Sequence, residues 1–284
     1  MKASAFAYAR VTSVDRALEL LAAHGEKAKV LSGGQSLMPA MNLRLIAPEL
    51  VVDIGGLNEL RGIVVRRDVL RIGALTRHVD LLNSSEIAAH APLLAEAVTH
   101  VAHPAIRNRG TLGGSLAHAD PHMDMPPVLI ALGAQVVAAS PAGERTIPVE
   151  TLFAGYYETV LARNELITSV IIPAQGARRA AYLKCTTRAV HDWPALGVAV
   201  ALESDGTTVR DAHVVVSAAT ETPTRLDGAE QALRGGTAGD ALWRQAGEAA
   251  AAEAETISDG QGSAAYKRQL VRVYVARALA AALK

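Results

Sequence analysis

Two short stretches constrain this chain more than any other feature. Each sets a Gly-Gly pair beside small hydroxyl residues: Leu31-Ser32-Gly33-Gly34-Gln35-Ser36-Leu37, and Ile106-Arg107-Asn108-Arg109-Gly110-Thr111-Leu112-Gly113-Gly114-Ser115-Leu116-Ala117-His118-Ala119-Asp120-Pro121. Glycine has no Cβ, so its backbone can take positive φ and lie against a ligand with its N–H groups turned inward. Such N–H groups suit a phosphate or pyrophosphate, and Ser32, Ser36, Thr111 and Ser115 can add hydroxyl donors. A Gly-Gly pair is equally the mark of a tight turn, and composition alone leaves both readings open. Neither stretch supplies G-x-x-x-x-G-K-[ST] or G-x-G-x-x-G, so a dinucleotide would bind here on something other than a P-loop or Rossmann fold.

The rest of the sequence narrows the class. A chain of 284 residues buries a sizeable core and makes one large or two medium domains. Lys plus Arg equals Asp plus Glu, 28 against 28, so no basic footprint for nucleic acid appears. The longest apolar runs, Val128–Leu132 and Leu196–Leu202, are too short to span a bilayer. The N-terminus has no apolar core of signal-peptide length, and a cytoplasmic location is the expectation. The single cysteine, Cys185, excludes an intramolecular disulfide and the thiolate set of a [2Fe–2S] cluster. Its apolar-alternating surroundings make it a packing residue.

Periodicity lays out the elements. Ser13 caps a helix running to about His24, with Val14, Ala17, Leu18 and Leu21 on one stripe. Lys29–Leu31 reads as a strand into the first glycine loop, Pro39–Leu45 as a short helix and Val51–Ile54 as a strand, together a small α/β lobe. A second lobe starts near Gly55-Gly56. It holds a hairpin around Arg66-Arg67-Asp68, helices capped by Thr76 and Ser85, and an Ile106–Asp124 stretch kept out of regular helix by Pro121 and its glycines. Pro126 opens a helix ending at Gly133, and Val136–Ala139 is a strand. After the linker Gln175–Arg179, the runs Tyr182–Thr186, Leu196–Leu202 and Val209–Ser217 predict an antiparallel meander. Helices follow over Ala238–Ala254 and after Ser263.

His118, Asp120, His122 and Asp124 can be read as a metal site, but Pro121 interrupts the helix that an i, i+4 histidine pair needs. Alternatively Asp120 and Asp124 accept hydrogen bonds from a diol, since a carboxylate takes two donors at once.

The two glycine stretches, Met41-Asn42-Leu43-Arg44-Leu45, Asp124, Gly155-Tyr156-Tyr157-Glu158-Thr159 and Gly262-Ser263-Ala264-Ala265-Tyr266-Lys267-Arg268 resemble the FAD-binding medium subunit of molybdenum hydroxylases, of the carbon monoxide dehydrogenase type. The resemblance implies an α+β fold: a two-lobed FAD-binding domain of the vanillyl alcohol oxidase (PCMH) type over residues 1–175, with lobes of about 1–55 and 56–175, then a C-terminal domain over 179–284 with a three-stranded antiparallel sheet and helices. It implies FAD contacts from Ser32, Gly33, Gly34, Gln35, Ser36, Leu37, Val101, Ala102, Ile106, Gly110, Thr111, Gly113, Gly114, Ser115, His118, Asp120, Asp124 and Leu166. Lys184 is implied to reach back over the flavin. Trp193 stands where the family more often carries tyrosine or phenylalanine and can cover the ring by stacking; core packing is its other reading.

By the same resemblance the chain has no catalytic residues or metal of its own. Its partners are a small [2Fe–2S] subunit and a large molybdenum-cofactor subunit in a dimer of heterotrimers, with an external electron acceptor and membrane contact only through the complex. A free-standing flavin oxidase or dehydrogenase of this fold, or a non-enzymatic nucleotide-binding module, are the alternatives.

Overall fold

The computed structural model describes residues 2–189 and 191–283. Its first lobe is a three-stranded parallel sheet with Leu50–Asp53 between Ala7–Arg10 and Ala28–Leu31. The helix Val14–His24 covers it. Ser13 Oγ accepts the Arg16 N–H at 3.2 Å, and Ala17, Leu18 and Leu21 are buried, as the stripe requires. The short helix after the first glycine loop runs Leu37–Asn42, earlier than the expected Pro39–Leu45. Proline is tolerated in a first turn, where its missing N–H would have no partner. Arg44, in the left-handed region at φ 59°, closes the helix early.

The second lobe is a five-stranded antiparallel sheet in the order Ile63–Arg66, Val69–Gly73, Leu166–Ile172, Gln135–Ser140, Gly143–Pro148. Arg67 and Asp68 both have positive φ in the hairpin turn, which matches the strands' twist. Both expected caps lie one residue off. The His78–Leu82 helix is capped at Arg77, while Thr76 Oγ1 bonds Gly62 O at 3.2 Å. Ser84, not Ser85, accepts the Ile87 N–H.

The Ile106–Asp124 stretch is not irregular throughout: it contains the helix Leu112–His118. Pro121 does not break that helix because Ala119, left-handed at φ 54°, has already ended it. Pro126 and Pro127 occupy the first turn of Met125–Ala131, whose residues are all buried.

The C-terminal unit is the expected meander, Arg179–Thr186, Pro194–Ser204 and Val209–Ser217, extended by a fourth two-residue strand, Thr224–Arg225. Strand alternation divides its faces. Tyr182, Ala199, Ala201 and Val215 pack into the core of the second lobe. Val198, Val200, Val214 and Val216 pack under the unit's own helices, Asp227–Leu233, Asp240–Glu253 and Ala264–Ala282. One sheet thus joins two cores, and charged groups gather along the seam between them.

Candidate functional site

The strand Ala28–Leu31 ends in the first glycine loop, and the short helix Pro104–Arg107 precedes the second. The fold presses the two loops together. Ser32 Oγ and Thr111 Oγ1 are 2.7 Å apart. A Cβ on Gly33 would lie 2.3 Å from the carbonyl oxygen of Arg109, and one on Gly113 would lie 2.6 Å from Ala74 Cβ. Gly114 leaves no room beside Thr111 Oγ1, 2.7 Å from its ideal Cβ. Among these only Gly34 uses the left-handed freedom of glycine, at φ 73°. The other glycines serve close packing, Gly33 against the Arg109 backbone, Gly113 against Ala74 and Gly114 against the Thr111 hydroxyl, a different reason from the one their composition suggests.

Beside this junction opens a cavity of about 550 Å³. Ser32, Gly33, Gly34, Gln35 and Thr111 line it, and so do four arginines, Arg10, Arg61, Arg77 and Arg109. Arg61 is held in place by donating to the carbonyls of Gly55 at 2.8 Å and Leu75 at 3.4 Å. A neutral net charge concealed this local excess. Arg10 and Arg61 lie far from either glycine stretch in sequence, and no motif marks them. Glycine-narrowed walls, hydroxyl donors and guanidinium groups are the donor set that a pyrophosphate needs, so the residues present fit FAD.

The remaining expected positions divide. Gln35 Nε2 donates to Gly33 O at 3.2 Å and holds the first loop closed. Ser36 and Leu37 form the start of the short helix. The carbonyls of Val101 and Ala102 accept from Arg107 Nη1 at 2.7 and 2.8 Å, and Ile106 O accepts the Gly110 N–H at 2.7 Å. Ser115 Oγ meets His78 Nε2 at 3.0 Å. Leu166 is a core residue, 6% exposed, and does not line the cavity.

His118, Asp120, Asp124, Lys184 and Trp193 gather elsewhere, at the seam between the second lobe and the C-terminal unit. Asp124 accepts from Tyr182 Oη at 2.7 Å and Lys184 Nζ at 3.1 Å, and Lys184 also donates to His100 O at 3.0 Å. Burial pushes the Asp124 carboxyl up, against the opposing pull of Lys184 and Tyr182. Asp120, wholly buried, accepts from the His122 N–H at 2.9 Å and Tyr157 Oη at 3.0 Å. The hydroxyls that reach these carboxylates are the protein's own.

His122 bridges the seam, 3.3 Å from Asp120 Oδ1 and 3.0 Å from Asp259 Oδ2. Asp259 in turn accepts from the fully buried Lys267 at 2.5 Å. Trp193 is half exposed, its ring edge-on to His122 with centroids 5.6 Å apart, and the His118 ring lies 5.1 Å from Tyr157. Among the described residues no group of three or more potential ligands is placed to hold a metal ion. Tyr157 and Lys267 fall within stretches that carried the resemblance, but their partners lie 37 and 8 positions away and nothing local named them.

A two-lobed cradle with an arginine-lined cavity, its second lobe backed by a four-stranded sheet, has the makings of a dinucleotide-binding protein of α+β class. Residues 4–175 match the FAD binding domain in molybdopterin dehydrogenase, and residues 181–282 match the CO dehydrogenase flavoprotein C-terminal domain. The chain is 38% identical to the nicotine 6-hydroxylase medium subunit of Paenarthrobacter nicotinovorans, over 98% of each chain. It is also 38% identical to the carbon monoxide dehydrogenase medium chain of Hydrogenophaga pseudoflava, over 98% of this chain and 96% of that one. In solved structures it superposes on carbon monoxide dehydrogenase from Hydrogenophaga pseudoflava with a TM-score of 0.96 at 40% identity, covering 99% and 98% of the two chains. On quinoline 2-oxidoreductase from Pseudomonas putida 86 the TM-score is 0.95 at 32% identity, covering 100% and 98%. The chain belongs to the FAD-binding medium subunits of the molybdenum hydroxylases.

Proposed function

We propose that this chain is the electron-transfer subunit of a heterotrimeric, carbon monoxide dehydrogenase-like molybdenum hydroxylase. It takes electrons from the [2Fe–2S] clusters of a small subunit and passes them to an external acceptor. A large subunit holds the molybdenum cofactor and selects the substrate, and two heterotrimers pair. The observation that carries this is the arginine-lined cavity between the joined glycine loops, in a chain whose single cysteine can hold no cluster. When bound, FAD supplies redox chemistry that exchanges electrons one or two at a time.

The chain's own residues bind and orient. Gly33 and Gly34 admit the pyrophosphate, Ser32 and Thr111 donate to it, and the arginines offset its charge. The helix Leu112–His118, about 10 Å long at 1.5 Å per residue, leads from these loops to the seam cluster. Were FAD bound, Lys184 would lend positive charge near its ring with Asp124 holding the lysine in place, and Trp193, half exposed, would be free to cover one face. The working domain limits are 1–175, with lobes 1–55 and 56–175, and 179–284.

Stopped-flow mixing of substrate with the assembled complex tests the reading. Cluster absorbance should bleach before flavin absorbance, and the isolated chain should reduce with artificial donors yet oxidise no substrate. Substrate-driven turnover by the purified, metal-free single chain would replace this reading with that of a free-standing flavoenzyme.

A further inference from the structure

His78 lies outside the glycine stretches, yet it touches the second at two points, Gly110 and Ser115. It is the first residue of the helix His78–Leu82 and is 2% exposed. The segment before it runs beside the second glycine stretch: Gly113 N–H donates to Ala74 O at 2.9 Å and Leu112 N–H to Thr76 O at 3.0 Å. The His78 N–H itself donates to Gly110 O at 3.0 Å. Its ring closes off Gly110, where an added Cβ would lie 2.9 Å from His78 Cδ2. Its Nε2 then reaches Ser115 Oγ at 3.0 Å.

The proton inventory fixes the sense of that last bond. His78 Nδ1 is buried and has no hydrogen-bond partner. A buried N–H without an acceptor loses its water hydrogen bond for nothing, while a bare ring lone pair loses less. The single proton of the neutral ring therefore sits on Nε2. Burial, with Arg107 adding its positive charge nearby, pushes this imidazole down to about 4, so the ring is neutral at pH 7. A hydroxyl that accepts from Nε2–H keeps its own proton free to donate elsewhere.

We propose that His78 is a positioning residue of the cofactor cradle: by donating Nε2–H to Ser115 Oγ, it turns the Ser115 hydroxyl proton outward as a donor to an oxygen of FAD. This rests on the FAD reading above. It explains why a buried ring with one unpaired nitrogen is placed against the loop. A leucine there would fill the space but leave Ser115 free to rotate its proton inward.

Two measurements on the full-length chain test it. With 15N-labelled histidine and no FAD present, the His78 ring should show the neutral Nε2–H tautomer; an Nδ1–H tautomer or an imidazolium overturns the inference whatever FAD does. In FAD titrations, Ser115→Ala should weaken binding about tenfold, the loss of one hydrogen bond to a charged group. His78→Leu should weaken it similarly, and His78→Gln, which retains an N–H near the Nε2 position, should restore most of it. The double variant His78→Leu/Ser115→Ala should bind no more weakly than Ser115→Ala alone, because the two act through one bond. Parent-like affinity in Ser115→Ala would overturn this inference and leave the FAD reading standing. Absence of FAD binding by the unaltered chain would overturn both.

Discussion

The glycine cradle and the seam cluster are built by opposite means. In the cradle, selectivity comes from what is missing: Gly33, Gly113 and Gly114 lack the Cβ atoms that would strike Arg109, Ala74 and Thr111. Charge there is mostly positive, four arginines against the single carboxylate of Asp53, with solvent access. At the seam, space is filled and charge is balanced: Asp124 with Lys184, and Asp120 and Asp259 around His122, with Lys267 behind. The cradle leaves polar valence open for a ligand, whereas the seam uses most of its valence to hold two domains. A substitution should thus cost cofactor affinity at the first and stability at the second.

The largest expected effect is at the seam. Asp124→Ala removes the partner of a lysine whose side chain is 4% exposed, leaving only the His100 carbonyl to receive it. Breaking a buried pair from one side costs about 3–5 kcal/mol, so urea unfolding should show a large drop in midpoint. The double change Asp124→Leu/Lys184→Met should recover most of it. If Asp124→Ala instead retains full stability and loses only FAD, the Asp124–Lys184 pair serves the ligand rather than the fold and the contrast collapses. Gly33→Val comes next: its Cβ must displace the Arg109 backbone, and more than about 2 kcal/mol of cofactor affinity should go, read as FAD stoichiometry after dialysis.

The arginines sharpen the cradle side. Arg61 is pre-placed by two carbonyls, whereas Arg10 is exposed. Arg61→Met should weaken FAD binding about tenfold and Arg10→Met about threefold, since a fixed guanidinium loses less freedom per bond formed. Both losses should shrink at high salt, which screens exposed charge. Equal losses that are insensitive to salt would mean that the arginines act by packing rather than by charge.

What the sequence made legible follows the same division. The Ser13 cap, the Val14–Leu21 stripe, the meander and the two glycine stretches are local patterns, and each formed where local rules put it. The helix Leu112–His118 was hidden because two glycines and a nearby proline argue against helix, while the turn at Ala119 that reconciles them depends on tertiary packing. Thr76 is a cap by residue type and position, but its hydroxyl is claimed by the Gly62 carbonyl. At the seam almost nothing was readable. His122 finds Asp259 over 137 positions, and Lys184 finds Asp124 over 60. Pairings at that range leave no periodicity, and a buried lysine such as Lys267 looks in sequence like any solvated one.

The smallest effect is a pH slope, and its sign separates the seam from an inert salt-bridge network. Burial alone would lower His122, but hydrogen bonds to Asp120 and Asp259 and the charge of both carboxylates carry it above its ordinary value. A raised histidine stabilises the fold fully below its unfolded value and loses that contribution as pH rises through the folded one. Asp259 is held low by Lys267, the Gln261 N–H and His122 against its own desolvation, so its contribution is lost only in acid, as pH falls below the ordinary carboxylate range. One neighbour opposes His122: His118 is pushed down by burial despite Asp120, so it favours the neutral form and costs stability as pH falls; the Tyr157 phenol, raised by burial and by Asp120, stays protonated throughout this window and adds no slope. Between about pH 6 and 8 the wild-type chain should therefore lose stability on the His122 account, and His122→Gln should flatten that loss while keeping a donor for one carboxylate. Thermal melts of both chains at matched ionic strength check it. Parallel pH profiles would mean that His122 gains no second ring proton on folding and that its charge does not hold Asp120 and Asp259 together.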